Sequence, residues 1–146
     1  MIVVVDTNIL FSACLTPNGR IFELLFNFPS KVELVSTQLA VEEMHNHNQK
    51  LFKLSKHTKK DLETLVALVL KQINFFDERI IEKKHWLKAD ELTRDVDGDD
   101  ISFVALALQT NGLLWTGDKK LAIHMNKMGF EQVINTAELY GLINIT

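Results

Sequence analysis

At 146 residues, with 47% hydrophobic and 24% charged side chains, the chain has the length of one globular domain and lies far from the composition of a disordered segment. A net charge of −3 excludes a protein that holds nucleic acid by bulk positive charge, so any such contact is local or bridged by a metal ion. Cys14, the single cysteine, excludes an internal disulfide and suits a reducing, cytoplasmic compartment, where it would be an inert structural thiol.

Ile2 to Val5 is a continuous apolar, β-branched run, the pattern of a central parallel strand covered on both faces. It has no basic leader and meets an acid at Asp6, so it is expected to be neither a signal peptide nor a membrane span. Thr16-Pro17-Asn18-Gly19 predicts a turn, and an apolar helix follows from about Ile21 to Phe28, stopping before Pro29. Val32 to Val35 reads as a second strand, after which Ser36 or Thr37 caps a helix running to about Lys53. Leu62, Leu65, Val66 and Val69 recur at i, i+3, i+4 and i+7, which predicts a helix with one buried stripe, paired with the preceding helix as a hairpin. Ile73 to Asp77 is a third strand and Lys83 to Leu92 a mostly polar helix.

Ile101, Val104, Ala105 and Leu108 give the clearest helical period, with Asp99 or Asp100 as cap and Asn111-Gly112 as closure. A strand over Leu113 to Thr116, a helix over Lys120 to Met128, a short strand over Gln132 to Ile134 and a helix from Thr136 complete the chain. Alternation of strand and helix predicts a single α/β domain over 1–146, a three-layer α/β/α sandwich with a mostly parallel central sheet. Trp86, Trp115 and Phe22, Phe26, Phe28, Phe75, Phe76 and Phe103 read as core or interface, with Phe75-Phe76 burying one ring and exposing the other at a dimer contact.

Acids stand at strand ends and helix starts in four separated segments: Asp6, Glu42-Glu43, Asp97 to Asp100, and Asp118. Each has a local reading. Asp6 can bond its own turn, Glu42 and Glu43 can face solvent, the Asp97 group can offset a helix dipole, and Asp118 can cap a helix. Three acids within four residues around Gly98 exceed what capping needs. Val41 and Met44, as expected buried flanks, favour Glu43 over Glu42, although both remain open as ligands one helical step apart.

Acids delivered to one sheet edge repel unless a cation lies among them, and with no cysteine or histidine cluster to compete, a hard ion such as Mg²⁺ or Mn²⁺ fits best. Asp95, Asp97 and Asp99 superficially begin an EF-hand, but Gly98 is misplaced for one. Lys50, Lys53, Lys56, Lys59 and Lys60 form the one basic stretch, either a solvated arm or a phosphate clamp. His45 and His47 are splayed around a helix by their spacing and make a poor metal pair.

Val4-Val5-Asp6-Thr7-Asn8, Glu42-Glu43-Met44, Asp97-Gly98-Asp99-Asp100 followed by Phe103 to Leu108, and Leu114 to Leu121 around Asp118 together resemble the four acidic motifs of the PIN-domain ribonucleases. The resemblance spans essentially the whole chain and rests on the order and spacing of the motifs. It implies a PIN-like fold in which Asp6, Glu43, Asp100 and Asp118 are the metal-binding acids, Asp97 is an accessory acid, and Asn8 and Thr116 are supporting hydrogen-bonders. It further implies Mg²⁺- or Mn²⁺-dependent cleavage of single-stranded RNA leaving a 5′-phosphate and a 3′-hydroxyl, a homodimer, and the role of toxin beside an antitoxin protein. Two other classes compete: a catalytically silent PIN-like module that binds RNA or protein, and a metal-dependent phosphatase with Asp6 as nucleophile. The phosphatase would want an acid where Asn8 stands.

Overall fold

Val3, Val4 and Val5 are all 0% exposed, and this buried run makes β1 (Ile2–Val5) the middle strand of a five-stranded sheet. The structure, a computed structural model, describes residues 1–96 and 98–144. After β1 come α1 (Thr7–Leu15), α2 (Arg20–Phe26), β2 (Glu33–Thr37), α3 (Gln38–Asn46), α4 (Asn48–Leu54), α5 (Lys59–Lys71) and β3 (Asn74–Phe76). The second half holds α6 (Lys83–Thr93), α7 (Ile101–Thr110), β4 (Leu113–Trp115), α8 (Lys119–Lys127), β5 (Val133–Ile134) and α9 (Thr136–Asn144), with 3-10 turns at Glu78–Ile80 and Gly98–Asp100.

The strand order is β3-β2-β1-β4-β5 and every described pair is parallel. The chain walks outward from β1 to β3, crosses back to β4, and leaves toward β5. Right-handed crossovers therefore place the helices between β1 and β3 on one face and α6, α7 and α8 on the other, the expected three layers. Val5 pairs with Trp115, and Val4 with Val35, so Asp6, Thr116 and Ser36 come off one carboxyl edge.

Several elements differ from the sequence expectation. No helix is expected between Asp6 and Thr16, yet α1 fills that span, burying Ile9, Leu10, Ala13 and Cys14. Burial there pushes the Cys14 thiol up to about 12, which fits an unreactive thiol. The helix expected to run to Lys53 breaks at His47, where Phe11 of α1 meets the imidazole edge-on at 6.2 Å and α4 turns to bury Leu51. The main helical neighbour of α5 is α1, so the expected hairpin with the preceding helix is not the dominant packing.

α7 is buried from Ser102 to Ala107, wider than the expected stripe, because it packs on β1, β2 and β4 and is covered by α6. Trp115 is core, its Nε1 donating to Thr136 Oγ1 at 3.0 Å, whereas Phe75 and Phe76 on the edge strand are both half-buried. Among the described residues no single helix is long and apolar enough to cross a membrane.

α7 ends on Asn111 in the left-handed region (φ 55°), and the Gly112 N–H bonds the Ala107 carbonyl at 3.0 Å. A Cβ on Gly112 would lie 2.9 Å from the Ile2 carbonyl oxygen, backbone against backbone at the start of the central strand. Gly112→Ala should therefore lower stability in urea denaturation by about 1–3 kcal/mol; an unchanged midpoint would show that the two backbones can part freely.

Candidate active site

Asp6 leaves β1 where the strand order reverses, the crevice in which open α/β sheets bind ligands. Its backbone is extended (φ −82°, ψ 167°) and its Oδ1 accepts the Ile9 N–H at 3.0 Å, so it does cap α1. That bond uses only part of the carboxylate's accepting capacity. The Thr116 hydroxyl also hydrogen-bonds Asp6, while Thr116 Oγ1 accepts the Asp118 N–H at 3.1 Å. One side chain on the β4 edge thus joins two acids. Asp118 caps α8 in turn, its Oδ1 accepting the Leu121 N–H at 3.1 Å. Ser36 Oγ donates to the Val5 carbonyl at 2.6 Å and fixes the last peptide before Asp6.

Glu43 is half-buried on α3 and Glu42 is exposed. Thr37 occupies the cap position of α3, but its hydroxyl lies 3.3 Å from Ser102 Oγ, both groups buried. Glu78 Oε1 accepts the Leu39 N–H at 2.6 Å in its place. The Thr37–Ser102 contact fastens the first turn of α7 to the β2 edge and so carries Asp100, 9% exposed, to the same end of the sheet. Asp100 sits at the α7 cap position without a capping side-chain hydrogen bond, so the expected cap function is not met there. Asp97, expected as an accessory acid, lies outside the described residues.

Asp6 is 2% exposed and its pKa is raised to about 6, chiefly by burial and further by the charges of Asp118 and Glu43; the bonds from Ile9 and Thr116 pull the other way. The structure therefore brings Asp6, Glu43 and Asp118 into electrostatic contact. Among the described residues no three His, Cys, Asp or Glu side chains stand in metal-ligating geometry. The donors still suit a hard cation. They are all oxygens, two of the acids add to the repulsion felt by a third, and the neighbouring Thr7 Oγ1 is buried with no partner among the described residues. Mg²⁺ keeps several waters and commonly takes only one or two carboxylates, so a full protein cage is not required.

Of the two expected supporting hydrogen-bonders only Thr116 reaches Asp6; Asn8 is exposed, and its side chain makes no hydrogen bond among the described residues. Lys50, Lys53 and Lys56 are exposed. Lys50 Nζ stands 5.7 Å from the centre of the Phe11 ring, and Lys53 lines a groove between α4 and α5 that none of the four acids enters. Ser36 and Thr37, expected as caps of α3, are instead buried hydroxyls that bond Val5 and meet Ser102, and neither the role of Ser102 nor the remote cap Glu78 is marked in the sequence.

The PIN domain family pattern matches residues 4–134, a span that holds Asp6, Glu43, Asp100 and Asp118. The chain belongs to the PIN-domain family. Its PIN fold is similar to that of VapBC-1 from nontypeable Haemophilus influenzae, at TM-score 0.67 and 18% identity over 94% of this chain and 99% of that one. PAE2754 from Pyrobaculum aerophilum gives TM-score 0.67 at 14% identity, covering 99% and 90% of the two chains. VapBC2 from Rickettsia felis, solved bound to a DNA fragment from its promoter, gives TM-score 0.62 at 17% identity, covering 92% and 97%. At these identities the likeness concerns the fold. A comparison with curated protein sequences finds no match.

In the metal-free PIN domain, Asp6 binds a proton in the folded state between its ordinary 3.8 and about 6, where the unfolded chain has already released it. The associated stability is complete below pH 3.8 and is lost as pH rises through about 6. Asp6→Asn keeps a capping oxygen and removes the buried charge, so it should exceed the wild type by roughly 1–3 kcal/mol at pH 8 in urea denaturation. The difference should close toward pH 4; equal differences at both pH values would show that the Asp6 charge is not the cause.

Proposed function

We propose that the chain is a ribonuclease that hydrolyses phosphodiester bonds of single-stranded RNA with Mg²⁺ or Mn²⁺, acting in the cytoplasm as the toxin of a toxin–antitoxin pair. The observation that carries this reading is the gathering of Asp6, Glu43 and Asp118 at the switch point, with Asp6 desolvated and neither Asp6 nor Asp118 in an ion pair among the described residues. A binding scaffold gains nothing from holding a buried carboxylate beside two other acids, whereas a cation site requires it.

Asp6, Glu43, Asp100 and Asp118, with Asp97 as accessory, would hold the ion. When bound, a divalent ion supplies a water of lowered pKa and neutralises charge developing on the phosphate oxygens. The chain's own residues do the positioning. Thr116 fixes Asp6 relative to Asp118, Ser36 fixes the peptide that enters Asp6, and Glu78 together with the Thr37–Ser102 contact sets α3 and α7 against the sheet edge. The exposed amide of Asn8 is left to meet a phosphate oxygen. The antitoxin partner is supported by the VapBC assemblies among the similar structures, and a protein covering the acids would silence them; the homodimer rests on the family resemblance.

Purified protein offered a pool of unstructured RNAs should cut with Mn²⁺ or Mg²⁺ and not with EDTA. Asp100→Asn and Asp118→Asn should each reduce cutting roughly 100-fold or more while circular dichroism stays that of the wild type. Undiminished cutting by either folded variant would overturn the site.

A further inference from the structure

α8 starts at the acidic site and carries a face that the nuclease reading leaves unused. Lys120, Ile123, His124 and Lys127 recur at i, i+3, i+4 and i+7, one stripe of the helix. With Asp95 and Val96, which follow α6, they line an open cleft of about 420 Å³. Both ammonium groups are exposed, and neither is in an ion pair among the described residues. Ile123 is 58% exposed, and His124 Nε2 is buried without a partner among the described residues. The stripe begins two residues after Asp118, whose carboxylate caps this same helix. It runs on for roughly 10 Å at the helical rise, room for two phosphates.

We propose that this cleft is the path of single-stranded RNA on one side of the scissile bond, and the proposal rests on the nuclease reading of the adjacent acids. Lys120 and Lys127 neutralise two backbone phosphates, and a base lies against the apolar Ile123 and the His124 ring. Asp95 on the opposite wall repels phosphate and holds the backbone to the α8 side. The four acids line neither this cleft nor the groove beside Lys53, but Lys120 stands two residues after Asp118 on the helix that Asp118 caps, whereas Lys53 lies on α4 and Lys50 covers Phe11, which makes the α4 lysines the poorer path.

The test is fluorescence anisotropy of a labelled oligouridine of about twelve nucleotides, titrated with Asp6→Asn protein in Mg²⁺ across a range of KCl. Replacing Lys120 and Lys127 together by Gln should flatten the slope of log affinity against log salt by about 1.4, the share of two single-strand phosphate contacts. Arg at both positions should restore it, and Gln at Lys50 and Lys53 should leave it unchanged. Each single Gln variant should remove about half of the change, which carries the test if the double variant fails to fold. An unchanged slope in the α8 variant, or no binding of the oligonucleotide by the parent, overturns the proposal. An unchanged slope beside intact cleavage by the wild type would remove the path and leave the nuclease. A flattened slope beside a wild type that never cuts would keep the α8 site as a binding surface and remove the nuclease.

Discussion

Asp6 sits where a carboxylate is expensive to ionise, at the carboxyl end of the innermost strand, and much of the nearby architecture serves to keep it there. A parallel sheet delivers all its strand ends to one edge, and the order β3-β2-β1-β4-β5 puts β1 in the middle of that edge. The residue after Val5 is therefore held from both sides: Ser36 of β2 bonds the Val5 carbonyl that leads into it, and Thr116, just beyond β4, bonds its side chain. Two hydrogen bonds favour the charged form, yet burial and the charges of Asp118 and Glu43 outweigh them, leaving the group near pKa 6. The balance leaves the site short of positive charge at neutral pH.

Small hydroxyl groups hold the constellation together. Thr116 links Asp6 to Asp118, Ser36 holds the Val5 carbonyl, and Thr37 meets Ser102 between the sheet and α7. These are short side chains with few rotamers, so they place carboxylates at little entropic cost. α7 adds rigidity from the other side, since its buried run from Ser102 to Ala107 leaves it no freedom to rotate and carry Asp100 away.

The strands and most helices were readable because their signals are local: the Val3–Val5 run, the period of α5, and the Asn111-Gly112 closure. α1 is not, because its apolar residues follow directly on a strand-like run and Asp6, which suits a turn or a ligand by its sequence, is also a cap. The break at His47 falls where the imidazole meets Phe11, a residue distant in sequence, and no periodicity within Gln38 to Leu54 encodes it. The acids were legible as types at strand ends, and Asp6, Glu43 and Asp118 do come together. Of the two supporting hydrogen-bonders that the resemblance implies, Thr116 does bond Asp6, because the strand register sets it beside that residue, and Asn8 does not. The Ser36–Val5 and Thr37–Ser102 contacts and the Glu78 cap depend on tertiary approach across 31 to 65 residues of chain, which no local pattern reports.

The most direct measurement is the melting temperature at pH 8 as Mn²⁺ is titrated into the wild type and into Asp118→Asn. A cation bound among these acids stabilises the folded state by about 2.7 kcal/mol at a hundredfold excess over its dissociation constant. The wild-type melting temperature should therefore climb with Mn²⁺, and the climb should shrink in the variant. No climb, or an equal climb in both proteins, would contradict a metal site at the switch point.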